Sequence, residues 1–171
     1  FAKIQDETDW ERICSAWPES GEDDRLVQQL LGLVLHQDAG LRRMVAGYEK
    51  TPAAVLIELA GDADKIVREE VAKHAQTPKA VLIQLAEDDD CTIRAAVARN
   101  AHASIVILVR LVEDEDEDVR AAAVRNNQTP WSLVAPLVND PSAFVRYAVA
   151  WHVQIPADAV SRLAKDTDWI V

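Results

Sequence analysis

TPAAVLIELAGDADKIVREEVAKHAQ, residues 51–76, is one complete unit of this chain, and its reading decides the fold. Thr51-Pro52 marks a helix start: a hydroxyl able to cap free N–H groups, then a residue whose fixed φ suits a first turn. Val55, Leu56, Leu59 and Ala60 follow at helical spacing and form one apolar stripe. Gly61-Asp62-Ala63 interrupts that helix. Asp64 is placed to cap a second one, whose apolar face is Val67, Val71 and Ala72, and His74-Ala75-Gln76 closes the unit. The segment predicts two short antiparallel helices joined by tight turns.

The unit recurs in both directions with a period of 26 residues. Thr51-Pro52, Thr77-Pro78, Ala103-Ser104, Thr129-Pro130 and Ile155-Pro156 align. Leu59, Leu85, Leu111, Leu137 and Leu163 form one column, and Asp62, Asp88, Asp114, Asp140 and Asp166 another. A third is Arg42, Arg68, Arg94, Arg120 and Arg146, each preceded by an aliphatic residue. Such a period signals a solenoid, in which neighbouring units bury each other's apolar faces. The expected fold is all-α, a right-handed α-solenoid of stacked 26-residue helix pairs. Residues 1–171 read as a single array, with full repeats at 25–50, 51–76, 77–102, 103–128 and 129–154. Partial repeats are expected at 1–17 and 155–171, with an acidic loop at 18–24. Asp6-Glu7-Thr8-Asp9-Trp10 echoes Lys165-Asp166-Thr167-Asp168-Trp169, so both ends fall inside a unit. The chain therefore reads as a piece of a longer array, or as one that self-associates through its repeat ends.

Composition narrows the function. Acids outnumber bases 29 to 18, a net charge of −11, which disfavours nucleic acid as a partner because gripping phosphates needs a positive surface. The sequence has no apolar run long enough to cross a bilayer, so no membrane role is expected. Cys14 and Cys91 stand far apart without CxxC or Cys/His spacing, which argues against a disulfide framework or zinc site and for a reducing cytoplasm. No Gly-rich phosphate loop, G-x-S-x-G elbow or HExxH is present, and no catalytic residue, cofactor or metal site is expected.

The pattern L-x-x-L-A-x-D-x-D-x-x-V-R-x-x-V-A-x-[HN] followed by T-P occupies residues 56–74 with Thr77-Pro78. It returns at 82–100, with Ile93 in place of the valine. It resembles the HEAT-like helical repeats and, most of all, the bacterial leucine-rich repeat variant family. The resemblance implies the solenoid architecture and leaves the activity open. The variant family's founding member carries an iron–sulfur cluster in a cysteine-rich N-terminal module. A cluster of that kind takes about four thiolates, and this N-terminus offers only Cys14.

Four sets of residues invite a functional reading. The arginine column could grip an acidic tail; the preferred reading is a structural ladder of Asp62, Arg68, Asp88, Arg94, Asp114, Arg120, Asp140 and Arg146. In it the planar guanidinium groups and the aspartates bridge neighbouring repeats. His74, Asn100, Asn126 and His152, with Tyr48 in the first full unit, could line a metal or cofactor, but side chains at helix ends more often satisfy turn carbonyls and amides. The six acids Glu113–Asp118 and the run Asp88-Asp89-Asp90 suit turns and helix starts rather than a calcium loop, which needs glycine punctuation. The fourth set lies where repeats differ. Positions four apart on the second helices read Glu69/Lys73, Ala95/Arg99, Ala121/Arg125 and Tyr147/Trp151. Arg99, Arg125, Tyr147 and Trp151 are the candidate partner-binding residues, because Trp, Tyr and Arg dominate binding hot spots. The expected function is a non-catalytic protein-interaction scaffold whose concave surface takes a protein or peptide. The rival expectations are a HEAT-like enzyme of the phycobilin lyase or DNA glycosylase type, and a self-assembling repeat module.

Overall fold

The computed structural model describes residues 24–171, and every element among them is a helix. The expected partial repeat 1–17 and the body of the acidic loop lie outside the described residues; Asp24, assigned to that loop, begins the first described helix. In chain order the helices are α1 (Asp24–Val34), α2 (Ala39–Gly47), α3 (Ala53–Leu59), α4 (Lys65–Lys73), α5 (Lys79–Leu85) and α6 (Cys91–Arg99). After them come α7 (Ile105–Leu111), α8 (Glu117–Arg125), α9 (Trp131–Val134) with a 3₁₀ turn over Ala135–Asn139, α10 (Ala143–Ala150) and α11 (Ala157–Leu163). The fold is the all-α helix-pair solenoid. Two compact units divide the chain, Phe1–Pro78 and Lys79–Val171, and the division falls at the joint between a Thr-Pro pair and the first helix of its repeat.

The second helices begin as the sequence predicts. The Asp64 carboxylate accepts from the Ile66 amide at 2.8 Å, and Asp38, Asp90, Asp116 and Ser142 cap α2, α6, α8 and α10 in the same way. The first helices do not. Pro52 is the N-cap of α3 and makes no side-chain cap. The Thr51 hydroxyl turns backwards and donates to the Val45 carbonyl at 2.6 Å, and Thr77 and Thr129 do the same to Val71 and Ala123. Sequence reasoning gave Thr51 to the helix that follows; it serves the C-terminus of the helix before. That end has orphan carbonyls of its own, and Thr51 is buried against them, only 1% exposed.

Helices of seven and nine residues, such as α3 and α4, are too short to persist alone, so packing holds them. Val55, Leu56 and Leu59 of α3, and Val67, Val71 and Ala72 of α4, have no exposed surface. Each large aliphatic side chain so buried contributes roughly 1.5–3 kcal/mol. The repeat 129–154 departs from this pattern. Pro136 lacks the N–H that an α-helix needs, so α9 is one turn long and passes into the 3₁₀ segment. In consequence Leu137 is half-buried, unlike Leu85, Leu111 and Leu163, and Val134 and Val138 hold the core with Val145, Ala148 and Val149. Among the described residues no helix is long and apolar enough to cross a membrane.

Candidate functional site

The ladder residues meet across repeat joints. In the first unit Arg42 donates from Nε and Nη2 to both oxygens of Asp62, at 2.6 and 2.8 Å. In the second unit Arg94 grips Asp114 at 2.8 and 2.8 Å, Arg120 grips Asp140 at 2.9 and 3.0 Å, and Arg146 grips Asp166 at 2.7 and 2.9 Å. The remaining nitrogen, Nη1, turns to the backbone. That of Arg94 donates to the Asp88 and Asp89 carbonyls, and that of Arg68 to the Asp62 and Ala63 carbonyls. Each aspartate also accepts an amide two residues on, as Asp88 does from Asp90 and Asp114 from Asp116. One arginine thus fixes the turn of its own repeat through carbonyls and the next repeat through a carboxylate. The Asp166 carboxyl is drawn down to about 2 by the Arg146 hydrogen bonds and the Asp168 amide. Burial pushes the Asp62 and Asp114 carboxyls up, but hydrogen bonds from Arg42 and Arg94 and from the nearby amides outweigh it and leave both below the usual range.

The polar column that closes each repeat is also turned to the backbone. The Asn126 amide donates to the Ala98 and Asn100 carbonyls at 2.7 and 3.0 Å, while its oxygen accepts from the Gln128 amide. His74 uses Nδ1 to accept from the Gln76 amide, which leaves Nε2 to donate to the Tyr48 carbonyl at 2.7 Å. His152 repeats the arrangement with Gln154 and the Thr129 carbonyl. Among the described residues no group of three or more His, Cys, Asp or Glu is disposed to hold a metal ion. The Cys91 thiol is pushed up by its hydrogen bond to Asp116 and by burial, the opposite of an activated nucleophile. An open cavity of about 390 Å³ beside Asn139, Asp140, Arg146, Arg162 and Asp166 is lined in part by ladder groups already bonded to one another.

The second-helix surface brings three of the four candidate binding residues together. The Arg125 guanidinium at the end of α8 lies over the Phe144 ring, 4.8 Å from its centroid, and 5.9 Å from that of Tyr147. Tyr147 and Trp151 sit one helical turn apart on and just beyond α10, their rings 6.3 Å apart and inclined by 60°. Trp151 is 74% exposed. Arg99 is exposed at the equivalent end of α6, one repeat away, and has no part in the aromatic contacts. Phe144 escaped the sequence reading. Its column otherwise holds Gly40, Ile66, Thr92 and Asp118, and the available signal was its place three residues before Tyr147 on the same helix. Ala95 and Ala121, read as lining the same surface, are instead buried at 2% and 0%, Ala121 within the core that α10 packs on.

A solved structure described as a leucine-rich repeat variant with a novel repetitive protein structural motif matches this chain with a TM-score of 0.67 and 32% identity. The resemblance to the leucine-rich repeat variant holds. The match covers 84% of the chain, and the chain spans 57% of the length of that leucine-rich repeat variant. No protein-family model matches the chain, and no curated protein does. The chain is an all-helical repeat protein whose fold is similar to that of the variant.

Proposed function

We propose that the chain is a non-catalytic protein-interaction scaffold, and that its partner, a protein or peptide, docks on the second helices of the unit Lys79–Val171. The observation that carries this reading is the surface cation–aromatic cluster in which Arg125 and Trp151 are exposed and Phe144 and Tyr147 half-buried beside them. A large indole left three-quarters in water contributes little to folding, and Trp, Tyr and Arg supply most of the energy at binding hot spots. The packing supports the location. In this unit the second helices α6, α8 and α10 lie side by side as its closest neighbours, and the closer-spaced layer of a curved stack is its inner one. A surface of this kind suits a partner that lies along several repeats. The ladder arginines and aspartates are bonded to one another, and the imidazoles of His74 and His152 to backbone groups.

The test is affinity capture from the native lysate, with wild type beside a Tyr147→Ala/Trp151→Ala variant matched in melting temperature. A partner captured by the wild type and lost from the variant is the expected result. A partner retained equally by both would place the interaction elsewhere.

A further inference from the structure

We infer that the partner of this surface is an extended acidic peptide, recognised by Arg99 and Arg125 through two carboxylates about three residues apart and by Trp151 through a following apolar side chain. The inference rests on the interaction reading above and adds the chemistry of the occupant. Its first support is the state of the arginines. Arg94, Arg120 and Arg146 are each locked to a carboxylate, and Arg43 and Arg110 pair with Glu70 and Glu87. Among the described residues no carboxylate lies within ion-pair distance of Arg99 or Arg125, although the chain carries eleven more acids than bases (29 against 18).

The second support is the sorting of charge along the second helices. In the unit Lys79–Val171 the runs Asp88–Asp90 and Glu113–Asp118 gather at the starts of α6 and α8, where Asp90 and Asp116 are the caps. Arg99 and Arg125 are the last residues of the same helices. A nine-residue helix is about 13 Å long, so acids and bases occupy opposite edges of the stack, and an acidic segment is attracted to one and repelled by the other.

Geometry gives the spacing. Arg99 and Arg125 occupy one position in successive repeats, and packed helices stand about 8–10 Å apart. An extended chain in the polyproline II form advances about 3.1 Å per residue and brings every third side chain back to one face, so carboxylates three residues apart match the two guanidinium groups. Arg125 is already placed: its guanidinium carbon lies over the Phe144 ring, which lowers the rotamer freedom that a carboxylate partner would have to remove. Beyond it the exposed face of Trp151, tilted against Tyr147, is the apolar shelf for the next side chain.

The experiment is fluorescence anisotropy on the whole chain with a labelled peptide carrying two glutamates three residues apart and a leucine three residues later. Companion peptides replace both glutamates by glutamine or by lysine. The glutamate peptide is expected to bind, more weakly as salt rises, and the glutamine peptide to bind about tenfold more weakly or worse. Arg99→Glu/Arg125→Glu is expected to lose the glutamate peptide and gain the lysine peptide. Trp151→Ala should weaken binding without changing the charge preference. Equal binding of the glutamate and glutamine peptides, or indifference to the double reversal, would overturn the acidic assignment; a remaining loss with Trp151→Ala would still leave the interaction surface standing. Tighter binding of an oligonucleotide than of the glutamate peptide would also overturn it. Both arginine side chains are exposed and outside the ladder, and should the double reversal lower the melting temperature, Arg99→Gln/Arg125→Gln supplies the same comparison.

Discussion

At the scale of single residues the ladder arginines are heavily committed side chains. Arg94 makes two hydrogen bonds to Asp114 and two to carbonyls, and is only 8% exposed. Arg94→Ala leaves the Asp114 carboxylate with only the Asp116 amide and the Asp88 carbonyl without its arginine donor, and is expected to lower stability by about 3 kcal/mol in urea unfolding. Arg94→Lys is expected to recover only part of this, because an ammonium group cannot serve both oxygens of Asp114 and the turn carbonyls in one plane. The carboxylates predict the response to acid. Asp62, Asp114 and Asp166 lie below the ordinary 3.8 in the folded state, so they contribute stability that is complete above that value and lost as pH falls through the folded one, about 2 for Asp166. Urea midpoints measured across pH 2–5 should therefore fall in the acid half of that window, and Asp114→Asn should flatten the fall. The aspartate and arginine columns were legible because each repeats in register. Which oxygens each arginine takes was not, since the carbonyl it uses lies six residues before it and the carboxylate 20 residues after it, and only the stacking of repeats brings the second within reach.

At the scale of the element, short helices depend on how their ends are closed. Second helices show their caps plainly in sequence, because an aspartate or serine at the N-cap bonds within two residues, as Asp90 does to Thr92. The threonine before each first helix was harder to place. A Thr-Pro pair has the composition of a helix start, but its hydroxyl donates to a carbonyl six residues earlier, in the helix it leaves. Repeat 103–128 begins with Ala103, buried at 2%, where Thr51, Thr77 and Thr129 stand in other repeats. Ala103→Thr should restore the missing hydrogen bond to the Val97 carbonyl and raise stability by about 0.5–1 kcal/mol. An unchanged or lower melting temperature would show that the joint after α6 has no room for the hydroxyl. Pro136 was visible in the sequence, but the period hid its effect: Leu137 keeps its column in the alignment while the 3₁₀ turn moves it partly out of the core.

At the scale of the whole molecule, repetition made the fold legible and hid the surface. A 26-residue period with two apolar stripes at helical spacing is satisfied by stacking helix pairs, so architecture followed from columns that agree. A binding surface is built from columns that disagree, and its members become neighbours only through packing. Arg125 and Tyr147 belong to adjacent repeats and different columns, and Phe144 joins them as the ring on which the guanidinium rests. Ala95 and Ala121 misled in the opposite sense, since small residues suit a groove floor and a close helix contact equally well in sequence. The central claim is that the aromatic end of the second-helix layer is where a partner sits. The five tryptophans provide the direct measurement, because each indole N–H gives its own NMR signal in a chain labelled at tryptophan. On titration with the glutamate peptide, the Trp151 signal is expected to move first and furthest, while that of Trp169, still more open to solvent, stays in place. A Trp151 signal that stays fixed while another indole moves would contradict it.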